Sequence, residues 1–275
     1  MARSLAAYAG HWALVTGAGD GIGEMLARRL AASGLQVIVQ DIRAEAAERV
    51  AREIGPTARP LAFDVSDRSA CLEAAGGLAA AGVSLNLLWI NAGVGVGASL
   101  IEGSQKTIEW AYGVNVLGAI WTAQAFMPLL RSAAGARLLA VTASSAALRA
   151  PEAPFSLYAA TKHATLGVAE GLAAEAEASG IKTLILCPGL LNTSIWDGAR
   201  ARPERFGGAR RADPAISGRW DAAAPPEVMW PHIAAAIDAG GGFLVCSTEA
   251  ENIRRFAHRQ AAILSGWHDL KVGTA

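Results

Sequence analysis

The sequence predicts a single doubly wound α/β domain on a seven-stranded parallel sheet, spanning residues 1–275. Three observations carry this. Short apolar runs alternate with stretches of helical periodicity along the whole chain, with no internal repeat and no break in composition. Most of the apolar runs are continuous rather than alternating, as in strands covered by helices on both faces. The first run ends in a glycine-rich turn, TGAGDGIG at 16–23, that opens straight into a helix.

The elements follow in order. HWALVTGAG (11–19) is the first strand and its turn. Residues 22–33 have helical periodicity, and Gly34 stops them. LQVIVQD (35–41) is the second strand, and AEAAERVAREIG (44–55) is a helix of mixed charge closed by Gly55 and Pro56. RPLAFDV (59–65) is the third strand, RSACLEAAGGLAAAG (68–82) the third helix and LNLLWINAG (85–93) the fourth strand. One long helix is expected through 105–133, then the strand ARLLAVTAS (136–144), a helix over 155–179 and the strand IKTLILCPG (181–189). Residues 190–224 lack periodicity and hold six Arg, at 200, 202, 205, 210, 211 and 219, so they read as a looser segment resembling an insertion. A helix near 226–240, the strand GFLVCS (242–247) and a helix over 249–264, within an extension at 249–275, complete the chain.

Composition narrows the function classes. Charged residues make up 17% and hydrophobic ones 52%. The charged share is below the roughly 25% usual for soluble domains, which suits a surface partly hidden in an oligomer. Lys plus Arg and Asp plus Glu both number 24, so nothing electrostatic recommends nucleic acid or an anionic membrane as a partner. The three cysteines, Cys71, Cys187 and Cys246, are odd in number and show no CxxC spacing. That pattern argues against a disulfide framework and a zinc site, and suits a cytoplasmic protein. His11, His232, His258 and His268 show no metal spacing, so no metal is expected, and His163 reads as a packing or solvent residue. No apolar run reaches the length of a membrane span, and the N-terminus reads as mature sequence.

Two stretches carry chemistry. In the turn, Gly17, Gly21 and Gly23 let backbone N–H groups approach a pyrophosphate at a helix N-terminus. This makes Gly17, Gly19, Asp20, Gly21, Ile22 and Gly23 candidate cofactor contacts. Asp41 ends the second strand, where a carboxylate can accept from an adenosine ribose and repel a 2′-phosphate, which favours NAD over NADP. Ile42 follows it, and Arg43 could instead accommodate the phosphate. Asp64 and Val65 stand where an adenine edge can be read, and Asn91, Ala92 and Gly93 give another close backbone approach. The second stretch is YAATK at 158–162. Tyr158 and Lys162 are four apart on one helix face, so a positive charge near the phenol favours tyrosinate and makes it a usable acid/base.

Together these motifs resemble the short-chain dehydrogenase/reductase family, of the single-domain Rossmann type. The resemblance runs from 11 to about 193 and adds VNVLG around Asn115, SS at 144–145 and PGLLNT at 188–193. It implies a catalytic set of Ser145, Tyr158, Lys162 and Asn115, with Ser145 chosen over Ser144 because it lies 13 positions before the tyrosine. It implies that Ser145 holds the substrate oxygen, that Lys162 also grips the cofactor ribose, and that Asn115 fixes a water. It further implies that Pro188, Gly189, Leu191 and Thr193 flank the nicotinamide, and that the protein is a dimer or tetramer.

Three features depart from the family pattern: Ile90 replaces a usual asparagine, a DGG after the last strand is missing, and the tail is longer. The longer tail is similar to that of members acting on aryl or alicyclic alcohols. The segment after PGxxxT closes over the substrate in the family, as a lid that would span about 190–224 in this chain. Here Ser145, Ala147, Phe155, Leu190 and Trp196 are the candidate substrate contacts. Val94, Val96, Ala146, Leu148, Pro154, Leu157, Leu191, Ile195, Phe206 and Trp220 are further walls. The expected reaction is NAD-dependent interconversion of a hydrophobic or aromatic secondary alcohol and its ketone. An NADPH-dependent ketone reductase and an idle NAD(H)-binding regulator are the alternatives. The lid arginines are expected to pair with Asp197, Glu204, Asp213 and Asp221, the alternative being recognition of an anionic substrate.

Overall fold

Alternate side chains of a strand point to opposite faces of its sheet, so a strand apolar at every position needs a core on both sides. The computed structural model, which describes residues 4–211, 216, 222–247 and 250–265, shows this arrangement. Leu14, Ile38 and Leu88 enter one buried cluster with Phe126 and Leu157. Their neighbours Val15, Val37 and Trp89 enter a second with Leu26, Leu30 and Ile233.

The strands are β1 (Trp12–Thr16), β2 (Gln36–Asp41), β3 (Ala58–Ala62), β4 (Leu85–Ile90), β5 (Leu138–Thr142), β6 (Lys182–Pro188) and β7 (Gly242–Cys246). All pair in parallel, in the order β3-β2-β1-β4-β5-β6-β7. The order reverses between β1 and β4, and a crevice opens at the carboxyl ends of the strands at such a point. The helices are α1 (Gly21–Ala32), α2 (Ala44–Ile54), α3 (Arg68–Ala80), α4 (Gln105–Tyr112), α5 (Gly118–Ser132), α6 (Ser156–Glu177), α7 (Trp230–Asp238) and α8 (Ala250–Ser265).

Two expectations need correction. The helix expected over 105–133 is not uniform: a π-helical turn, Gly113–Leu117, separates α4 from α5. Tertiary bonds explain it. The Asn115 amide bonds the Val94 backbone, while its own carbonyl accepts from Thr165 Oγ1 at 2.9 Å. Widened turns of this kind recur at functional sites. The second concerns the segment read as looser and without periodicity, where 3-10 helices run over Ser194–Ala201 and Glu204–Phe206. Such short runs have no 3.6-residue repeat to find in the sequence. Asp213, Arg219, Trp220 and Asp221 of the lid, and the tail after Ser265 with His268, lie outside the described residues.

The run Gln105–Ser132 is long and apolar enough to cross a membrane, but 67% of its most apolar window is buried within the fold. Its apolarity is that of a core helix.

Candidate active site

A cavity of about 670 Å³ occupies the crevice. The glycine turn and the ends of β2 and β3 line one end. Ser144, Ser145, Tyr158, Lys162 and the lid line the other.

The glycine turn is held from three sides. Gln40 Oε1 accepts from Gly17 N at 3.2 Å, while Gln40 Nε2 donates to Phe63 O at 2.6 Å. Asp41 Oδ2 accepts from Gly19 N at 3.0 Å, and Arg49 donates to Gly19 O at 3.0 Å. Gly19 therefore backs the turn instead of lining the cavity, unlike Gly17, Asp20, Gly21, Ile22 and Gly23. Gly17 and Gly21 have φ of 63° and 52°, the region that L side chains avoid. A Cβ on Gly23 would stand 2.1 Å from the Gly17 carbonyl oxygen. Gly23→Ala is therefore expected to shift the turn and weaken NADH binding about tenfold or more in a fluorescence titration. Unchanged affinity would count against the turn as the binding element.

Asp41 is buried at the end of β2, and its Oδ1 accepts from Arg43 N at 3.0 Å. The Arg43 guanidinium turns onto carboxylates, 3.5 Å from Asp41 and 3.7 Å from Asp20. Ile42, Asp64, Val65, Asn91, Ala92, Gly93, Pro188, Gly189, Leu191 and Thr193 all line the cavity. Thr16 Oγ1 accepts from the N–H groups of Asn91 and Ala92 at 2.9 and 3.0 Å, which ties the NAG turn to β1.

Among the described residues, Arg200 and Arg205 do not pair within the lid as expected. Arg200 reaches Asp20 across the crevice, and Arg205 reaches Asp64 Oδ2 at 2.7 Å. Arg202 lies buried over the Trp110 ring, 5.0 Å from its centroid. Burial works to raise the Asp20 carboxyl, but bonds from Ser194 and Arg200 and the Arg200 charge outweigh it and hold the group below the carboxylate range. The partners lie on segments remote in sequence, which local spacing could not reveal.

Tyr158 and Lys162 share the buried face of α6. The Lys162 ammonium is 6.0 Å from the Tyr158 ring centroid and donates to Thr142 O at 3.4 Å. Their electrostatics differ from the sequence expectation. Burial pushes the Tyr158 phenol above its ordinary value, opposed by a hydrogen bond with Ser144 and the charge of Arg149. Burial also brings Lys162 down from 10.5 to about 8. Desolvation disfavours both charged forms.

Asn115 is buried beneath the NAG turn. Its Oδ1 accepts from Val94 N at 2.8 Å, and its Nδ2 donates to Val94 O at 3.0 Å and Thr161 Oγ1 at 2.9 Å. Both serines face the cavity. Ser145 opens a 3-10 turn, while Ser144, which accepts from Ala146 N at 3.1 Å, is the one bonded to the phenol. His163 bonds the Ala159 carbonyl of its own helix at 2.8 Å. Cys187 is fully buried, its thiol pushed up to about 11 by burial.

At the substrate end the Trp196 ring lies 4.9 Å from Phe155 and 5.1 Å from Tyr158, centroid to centroid. Val94, Leu190, Leu191 and Ile195 add apolar wall. Ala147 is buried outside the wall, and Ala146 takes the place expected for it. Val96, Leu148, Pro154, Leu157 and Phe206 also stand off the cavity. Sequence reasoning passed over Gln40, Thr16, Ser144 and Arg149. Only Ser144, beside the chosen serine, had a local signal.

The sequence profile described as short chain dehydrogenase matches residues 11–204. The chain is 29% identical to a sorbitol dehydrogenase of Cereibacter sphaeroides over 194 residues, 70% of this chain and 75% of that one. It is 34% identical to estradiol 17-beta-dehydrogenase 11 of Mus musculus, over 68% of this chain and 64% of the mouse protein. A solved short chain dehydrogenase/reductase from Burkholderia phymatum, in complex with NAD, superposes with a TM-score of 0.84 at 26% identity, covering 98% of this chain and 99% of that one.

Proposed function

The chain belongs to the short chain dehydrogenase family, and from that premise we propose that it is an NAD-dependent enzyme that interconverts a secondary alcohol and its ketone, with apolar, aromatic or alicyclic bulk beside the reacting carbon. The observation that carries this reading is one cavity that joins the glycine turn and Asp41 to Tyr158 and Lys162. The residues fit a nicotinamide cofactor. Side chains at Gly17 and Gly23 would collide with backbone, and no side-chain cap covers the first turn of α1. Gly17, Gly21, Ile22 and Gly23 would hold the pyrophosphate, and Asp41 the ribose hydroxyls. When bound, the cofactor accepts or supplies the hydride of the carbinol carbon.

The protein's part is proton transfer and positioning. The Tyr158 phenol gives a proton to the ketone oxygen or takes one from the alcohol. Ser145, the expected contact, and Ser144, which bonds the phenol, both present hydroxyls that orient that oxygen. Lys162 shares the buried helix face with that phenol, its ammonium 6.0 Å from the ring centroid, where it would grip the cofactor ribose. Asn115 fixes the NAG turn beneath them. Phe155 and Trp196 exclude water from the reacting carbon.

NAD over NADP is supported by the Asp41 carboxylate at the β2 end and by Arg43, which is engaged with Asp41 and Asp20. Asp41→Ala is expected to raise the NADP-to-NAD ratio of kcat/KM about tenfold, because the repulsion is lost and Arg43 is freed. An unchanged ratio would remove Asp41 as the discriminator.

A homodimer or homotetramer is supported by exposed Phe243 and Val245 on edge strand β7 and by Ile253 and Phe256 on α8. A cytoplasmic location is supported by three unpaired cysteines. The test is nicotinamide reduction with NAD and NADP in parallel, across aliphatic, alicyclic and aryl secondary alcohols with sorbitol alongside. The sorbitol dehydrogenase likeness favours a second reading, a polyol substrate, and turnover of sorbitol alone would replace the apolar one.

A further inference from the structure

The substrate end of the cavity is not purely apolar. Arg149, four residues after Ser145, lines it together with Arg255 from α8. Between them stands Glu152, 3.4 Å from Arg149 Nη1 and paired with Arg255. Among the described residues, two guanidinium groups face one carboxylate there. The Arg149 Nε is buried and has no acceptor among the described residues. Arg149 lines the same cavity as Tyr158, and its charge opposes the rise of the phenol.

A guanidinium offers a planar fork that suits a carboxylate taken by two parallel hydrogen bonds. The Nε is closed off from the cavity, so the terminal Nη groups are the donors a ligand would meet. Phe155, Tyr158 and Trp196 stand beside this charge and suit an apolar or aromatic body.

We propose that Arg149, assisted by Arg255, forms an anion subsite, and that the substrate is a hydroxy acid or keto acid whose carboxylate docks there while its carbinol oxygen meets Tyr158. The inference rests on the alcohol–ketone reading of the site and narrows it. Closure of the subsite depends on α8, so the C-terminal extension contributes to substrate choice through Arg255. The competing explanation is that Arg149 and Glu152 only clasp α8 to the loop before α6.

The experiment has two arms. In the first, kcat/KM is measured for aryl and alicyclic secondary alcohols bearing a carboxylate and for their primary amides. The wild type is expected to prefer the carboxylate about thirtyfold, as for one charge-assisted hydrogen bond. Arg149→Gln is expected to bring that ratio close to one, mainly through KM, and Arg149→Lys to restore part of it. In the second arm, binding of benzoate and benzamide is titrated calorimetrically. Benzoate is expected to bind the wild type more tightly and to lose that advantage in Arg149→Gln.

Turnover of the amides with no preference for carboxylates would overturn the subsite and leave the oxidoreductase reading standing. A preference that survives Arg149→Gln, with only a lower melting temperature, would reduce Arg149 to the clasp. If no alcohol or ketone turns over, the oxidoreductase reading fails, and the benzoate titration decides the subsite alone. If Arg149→Gln does not fold, Arg149→Lys and Arg255→Gln carry the same ratio test.

Discussion

Tyr158→Phe is expected to lower kcat about a thousandfold, within the range for loss of a positioned acid/base, while NADH binding stays within about twofold of wild type. Removing one oxygen leaves the α6 packing and the ring contact with Trp196, 5.1 Å between centroids, in place. Only the proton route changes. The loss should appear in kcat and kcat/KM alike, because the phenol's proton moves only in the reaction and not on binding. The check is steady-state kinetics beside an NADH fluorescence titration. A loss confined to KM would make Tyr158 a binding residue, and a variant with more than a tenth of wild-type kcat would move the acid/base elsewhere. Ser144→Ala and Ser145→Ala in the same assay would show which hydroxyl works with the phenol.

Lys162→Met is expected to abolish useful turnover and yet raise the stability of the cofactor-free protein. Lys162 is only 2% exposed, and it donates to Thr142 O over a long 3.4 Å. Burial lowers it from 10.5 to about 8, which corresponds to about 3 kcal/mol of penalty for holding the charge. Below pH 8 both folded and unfolded chains carry the proton, so the full penalty stands. Between about pH 8 and 10.5 the unfolded chain binds more protons than the folded one, and stability rises with pH. Above about 10.5 both forms are neutral and the penalty is gone. Methionine has similar volume and no charge, so the variant should melt about 5 °C higher at pH 7, and the gain should vanish above about pH 10.5. Calorimetry across pH 6–11 measures it. An unchanged or lower melting temperature at pH 7 would show that other groups already compensate the ammonium. Stability given up at a buried charged group for the sake of chemistry is a recurrent trade in enzymes.

Much of the molecule was legible because its signals are local. The seven strand runs, most of them continuously apolar, the glycine spacing in 16–23, the acidic residue ending the second strand and the four-residue step from Tyr158 to Lys162 are set by backbone geometry over a few residues. Asp41 and the glycines Gly17, Gly21 and Gly23 stand at the crevice for that reason, since turns after parallel strands emerge at the sheet's carboxyl edge. The lid helices Ser194–Ala201 and Glu204–Phe206 were not legible, because 3-10 turns leave no long repeat.

The sequence by itself determined the parallel sheet, the cofactor turn and the phenol–ammonium pair. Tertiary structure alone decided what each charge faces. Arg200 and Arg205 were expected to pair within the lid, yet they meet Asp20 and Asp64, 180 and 141 residues away. Ser144, not its neighbour, is the serine that acts on the phenol. Asn115 breaks a long helix into a π turn because the Val94 backbone lies within reach of its amide. Tyr158 and Lys162 are each driven toward neutrality, since removal from water acts on both and does not depend on their spacing. Local periodicity fixes which residues share a face. Desolvation and long-range contact, which arise only when distant segments pack, fix the charge each of them can carry.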